Sequence, residues 1–151
     1  MLISQLPHND QLFLGATHYI RVTHEDLTEA VADTDQTLTV SVEAGEAFRV
    51  VAFRLVETFE DQSDAALNDT KITIGDGGDA DRFFTVTQVN ENGTEVLYKS
   101  GALADPYIYT TTDTIDILVE SMVGKSLSNI DKGIALFFVQ KIDLDEYGDY
   151  K

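Results

Sequence analysis

The sequence predicts an all-β chain: an antiparallel β-sandwich or jelly roll of about eight strands with one short helix. Three observations carry this. Thr, Val, Ile, Phe and Tyr recur together in short runs, punctuated by 10 Gly and only 2 Pro in 151 residues. From Thr37 to Ala44 apolar and polar residues alternate without a break, the period of a strand with one buried and one wet face. Asn92-Gly93 is a type I′ hairpin signal, since both central positions of that turn need positive φ.

Taken in order, Met1 to Thr17 holds apolar patches without a clean period and is expected to be an arm that packs on the body or on a neighbouring subunit. His18 to Val22 clusters Tyr19, Ile20 and Val22 as a first strand. Thr23-His24-Glu25-Asp26 is a capping-box variant, so one or two helical turns are expected through Leu27 to Val31. Asp33-Thr34-Asp35 is turn chemistry. In Thr37 to Ala44 the side chains of Leu38, Val40, Val42 and Ala44 share a face, and Glu43-Ala44-Gly45-Glu46 turns the chain.

Ala47 to Phe59 fits a helix face through Phe48, Val51, Ala52, Leu55 and Phe59. Its β-branched and aromatic content favours a central strand covered on both faces. Lys71 to Ile74 is a short strand closed by Gly75-Asp76-Gly77-Gly78-Asp79-Ala80-Asp81. Phe84 to Asn90 and Glu95 to Lys99 are the expected arms of the Asn92-Gly93 hairpin. Further strands are expected at Tyr107 to Thr110, Thr114 to Val119 and Ile134 to Leu144. The expected organisation is an N-terminal arm over residues 1–18, a sandwich over 19–144 and a polar tail over 145–151. Phe48, Val50, Ala52, Phe53 and Val56, with Phe137 and Phe138, are expected to form the central core.

Charge and missing residues narrow the function. Asp plus Glu number 27 and Lys plus Arg 10, a net charge of −17. Such a surface repels phosphate backbones and anionic lipid heads, so neither nucleic acid nor membrane is an expected partner. The longest apolar run, Ile134 to Val139, is far short of the about 20 residues of a membrane helix. With no Cys, disulfides, thiolate metal sites and Cys nucleophiles are excluded. Residues Met1 to Gly15 lack the basic and apolar regions of a secretory signal, which leaves chance as the reading of the two sequons at Asn68 and Asn92.

The best candidate for chemistry is the Gly-rich loop that carries Asp76, Asp79 and Asp81, three carboxylates able to offer hard oxygen ligands to Ca²⁺. It lacks EF-hand spacing, and the competing reading is a tight turn between strands, where Gly and Asp supply positive φ and side-chain caps. No cofactor and no metal are expected. His8, His18 and His24 show no short helical ligand spacing, and no Ser lies in a Gly-x-Ser-x-Gly elbow. Tyr98, Tyr107 and Tyr109 are the aromatics a sugar-binding module would use; packing in a core or interface is the preferred reading.

The order of segments carries one further signal. TLTVSVEAGEAFRVVAFRLVETFE, KITIGDGGDADRFF, YIYTTTDTIDILVE and GIALFFVQKIDLDEY follow one another over residues 37–144. This resembles the small head decoration, or cement, proteins of tailed bacteriophages. The resemblance implies a non-enzymatic virion protein on the capsid exterior, partnered by the major capsid protein, often a homotrimer, that bridges shell subunits. The alternative is a carbohydrate-binding or tail-associated sandwich module assisted by Ca²⁺.

Overall fold

A computed structural model of the chain describes residues 1–61, 70–89, 98–100, 105–120 and 124–146. Among them are ten strands, one α-helix and two short 3₁₀ turns. Strands β1 (Leu2–Gln5), β2 (His18–Thr23), β10 (Lys132–Asp143) and β4 (Glu46–Glu60) lie side by side in one sheet. Two short strands, β7 (Tyr98–Ser100) and β8 (Tyr107–Ile108), pair with the other edge of β4. The second sheet runs β3 (Gln36–Val42), β9 (Asp113–Glu120), β5 (Lys71–Asp76), β6 (Asp79–Gln88). Every pairing is antiparallel, and the architecture is an all-β sandwich.

Alternation builds the core. Ile115, Ile117 and Val119 of β9, Val40 and Val42 of β3, and Ala135, Phe137 and Val139 of β10 all point inward and are buried. Burying each large apolar side chain contributes about 1.5–3 kcal/mol. The rings of Phe53, Phe84 and Phe137 meet at 5.1–5.4 Å between centroids, so the two sheets share one aromatic centre.

Strand β4 departs from the expected core in an instructive way. Phe48, Val50, Phe53 and Phe137 are buried, but Ala52 and Phe138 are half-buried and Val56 is 46% exposed. The register of β4 with β10 slips three times, between Lys132 and Ile134, between Ile134 and Ala135 and between Phe138 and Val139. Each slip inserts an extra residue, and after it the other parity of the strand faces the core. Inward residues therefore run Phe48, Val50, then Phe53, Leu55, then Phe59. Among the described residues the core packs on the inner face of the strand, and its apolar outer positions belong to a face turned away from that core.

The helix is not where the capping box placed it. Thr23 does cap a turn, its N–H and hydroxyl both bonding Asp26 Oδ2 at 2.8 and 3.1 Å, but only a 3₁₀ turn, His24–Asp26, follows. The side-chain amide of Gln36 accepts from the N–H groups of Thr28 and Glu29 and donates to the Asp26 carbonyl. Those are the backbone groups a helix over Leu27 to Val31 would need. The α-helix is α1 (His8–Leu14), in the segment read as an arm. That segment packs on the body: β1 pairs with β2 over four residues, and Thr17 N–H bonds the Val139 carbonyl.

The expected hairpin arms also part company. Over described residues β6 pairs with β5, whereas β7 pairs with β4 in the opposite sheet. The Asn92-Gly93 turn itself lies outside the described residues.

Candidate functional site

The Gly-rich loop is a two-residue turn. Asp76 and Asp79 face each other across Gly77-Gly78, at the tip of the β5–β6 hairpin. Gly75 is required there, because a Cβ on it would meet the Asp79 carbonyl oxygen at 2.1 Å. The side chain of Asp76 then turns back into the protein. Its Oδ1 accepts from the N–H groups of Gly78 and Asp79 at 3.0 and 2.9 Å, closing the turn.

Its Oδ2 reaches across the sandwich. It accepts the Tyr109 hydroxyl at 2.8 Å and faces Arg82 Nε at 2.7 Å. Arg82 in turn lies over the Tyr107 ring, 4.1 Å from its centroid, and Tyr107 meets the Tyr109 ring edge-on at 5.0 Å. Tyr109 is fastened to the first sheet by its backbone, its N–H bonding the Glu46 carbonyl and its carbonyl accepting the Gly45 N–H. The cluster Asp76–Arg82–Tyr107–Tyr109 thus ties the hairpin tip of one sheet to the start of β4 in the other.

Electrostatics follow from this geometry. Burial works to raise the Asp76 carboxyl, but the bonds from Tyr109, Gly78, Arg82 and Asp79 outweigh it and hold the group below the usual carboxylate range. Burial and the bond to Asp76 push the Tyr109 hydroxyl far up, so it stays a proton donor. Burial opposes the charge on Arg82, and the Asp76 carboxylate more than restores it. Asp76 accepts three hydrogen bonds and pairs with the Arg82 guanidinium, which makes it an anchor between layers.

The other candidates do not converge on it. Asp79 and Asp81 are exposed, and among the described residues no three His, Cys, Asp or Glu side chains are grouped to hold a metal ion. Tyr109 is buried in the core, Tyr107 is 38% exposed, and the side chain of Tyr98 lies outside the described residues. His8 opens α1, His24 opens the 3₁₀ turn, and His18 lines a groove of about 600 Å³ between β1 and β3, with Gln5, Thr39 and Lys141. Burial, with Lys141 nearby, lowers the His18 pKa, which favours the neutral ring. Arg82 and Tyr109 were not legible as partners of Asp76, since Tyr109 is 33 residues away. The one available signal was the turn: a two-residue hairpin at Gly77-Gly78 places Arg82 on the strand leaving Asp76.

No protein-family model matches the chain, and no curated protein matches it. The fold has a solved counterpart. A chain of the cyanophage Pam1 capsid asymmetric unit superposes with a TM-score of 0.54 at 17% identity, over 82% of this chain and 81% of that one. The two shares are nearly equal, so the two chains are nearly equal in length. At that identity the likeness is one of fold.

The two outer faces of the sandwich differ in chemistry. On the β3 sheet, exposed Thr37, Thr39 and Ser41 stand opposite Leu118, Asp116 and Thr114, a face dominated by hydroxyls. On the β10 sheet, Leu136 stands between Arg21 and Arg54, and Phe138 between Tyr19 and Ala52.

Proposed function

We propose that this chain is a non-enzymatic structural protein of a phage head, a decoration subunit that sits on the capsid exterior and bridges subunits of the major capsid protein. The observation that carries the proposal is the shared fold: four-fifths of this chain matches a chain of similar length from a capsid asymmetric unit. The segment order over residues 37–144 supports the decoration role independently. So does the net charge of −17, which keeps an outward surface soluble and argues against contact with packaged DNA. The Asp76 cluster fits the same role, because its polar side chains lock two layers together. A homotrimer is the expected assembly.

The test mixes the purified chain with empty shells that lack it, and follows co-sedimentation and mass by light scattering at micromolar concentration. Saturable binding to shells and a trimeric mass are expected. A persistent monomer that ignores shells overturns the proposal.

A further inference from the structure

We infer that the outer face of the β1–β2–β10–β4 sheet is the surface that docks on the shell, and that it receives an apolar patch carrying carboxylates. This rests on the decoration role proposed above and adds which face is used and what it meets.

The register places the residues. Leu136 of β10 pairs with Arg21 of β2 on one side and Arg54 of β4 on the other. Directly paired residues share a face, so the two guanidinium groups flank the leucine from strands about 10 Å apart. One row along, Phe138 pairs with Tyr19. Arg49 pairs with Gln140 beyond it, so three of the chain's four arginines stand on this one sheet. Arg21 and Arg54 are exposed, and Leu136, Phe138 and Tyr19 keep part of their surface in solvent.

Two independent features mark this face as an interface. First, its composition is that of interface cores, which are enriched in aromatic residues and Arg. Second, a chain of net −17 gathers three of its four arginines on this sheet, where they outnumber the exposed Glu57 that shares the face beside Ile134. That complementarity selects a partner bearing carboxylates, and it steers association. A second copy docked through the same face would set these arginines against one another. The hydroxyl-rich face of the β3 sheet is left outward.

The experiment compares the full-length wild type with Arg21→Glu, Arg21→Ala and, on the opposite face, Thr39→Glu. Both positions are exposed, and circular dichroism confirms that the three variants fold. Binding to empty shells lacking the chain is measured at low and high salt. Arg21→Glu is expected to weaken binding about tenfold or more, Arg21→Ala less, and both to flatten the salt dependence, with Thr39→Glu close to wild type. Wild-type binding that Arg21→Glu leaves unchanged, or that Thr39→Glu abolishes, overturns the inference and leaves the proposed function standing. Absence of wild-type binding overturns both. Self-association in solution that Arg21→Glu dissolves, with shell binding intact, assigns the face to a second copy and overturns the inference.

Discussion

The Tyr109 hydroxyl donates to Oδ2 of Asp76 at 2.8 Å, a bond between residues 33 apart that joins the two sheets at one end of the sandwich. Tyr109 is 4% exposed and Asp76 6%, so water cannot readily replace either partner. Tyr109→Phe should therefore cost about 1–3 kcal/mol, the price of leaving a buried acceptor short of a donor. Asp76→Ala removes the acceptor for Tyr109, Arg82 and two backbone groups together and should cost about 3 kcal/mol or more. Asp79→Ala, at an exposed position, should cost well under 1 kcal/mol. Urea denaturation midpoints of the three variants order them directly, and a larger loss for Asp79→Ala would contradict the turn geometry.

Acid should reveal the same carboxylate. In the fold Asp76 titrates below its ordinary value of 3.8, whereas in the unfolded chain it returns to about that value. Unfolding thus takes up a proton between the two. The stability this group contributes is whole above about pH 4 and is lost as pH falls through the folded value. Asp76→Asn cannot titrate. Its stability, measured by thermal unfolding from about pH 6 to about pH 2, should fall less steeply than that of the wild type. Parallel curves would show that Asp76 does not carry the shift.

The bulges in β4 can be tested by truncation. Phe53 is 1% exposed and meets Phe84 and Phe137 at 5.1 Å, so Phe53→Ala should cost about 3–5 kcal/mol. Val56 is the extra residue at the slip between Ile134 and Ala135 and is 46% exposed, and Val56→Ala should cost less than about 1 kcal/mol. An unslipped strand would turn Val56 inward and Phe53 outward, and so reverse the order of the two losses. Chemical denaturation of the pair decides between the two registers.

Gly133 gives a further check on how β10 enters the sheet. It adopts a φ of +140°, and a Cβ placed there would meet the Phe59 ring at 2.5 Å. Phe59 is wholly buried and cannot withdraw. Gly133→Ala should cost at least about 2 kcal/mol through overpacking and backbone strain. A melting temperature equal to that of the wild type would show that the close approach is absent.

Much of this fold was legible along the chain because a strand with one wet face writes its own period. Thr37 to Val42 and Thr114 to Val119 alternate, and in each the alternation names the face that the structure buries, whereas Ile134 to Val139 is apolar throughout and left its inner face unnamed. Class and element order follow from local chemistry: β-branched and aromatic runs, Gly-Asp turns, no Cys and a net charge of −17. The helix α1 was hidden because seven residues are too few to show a period, although Pro7 before it and Gly15 after it were the available marks.

Tertiary structure alone decided three things. A bulge shifts inward parity by one residue, and its position in β4 depends on β10, a strand far away in sequence; hence Ala52 and Val56 left the core, while Phe138 points outward because it alternates with the buried Phe137. The side chain of Gln36 took the backbone partners of a possible helix from a distance of eight residues, which no cap signal foretells. The partner of Asp76 was decided by how two sheets stack. Spacing along the chain describes neighbours within a sheet strand or turn, while the bond to Tyr109 and the row Arg21–Leu136–Arg54 exist only once strands from separate parts of the sequence are brought side by side.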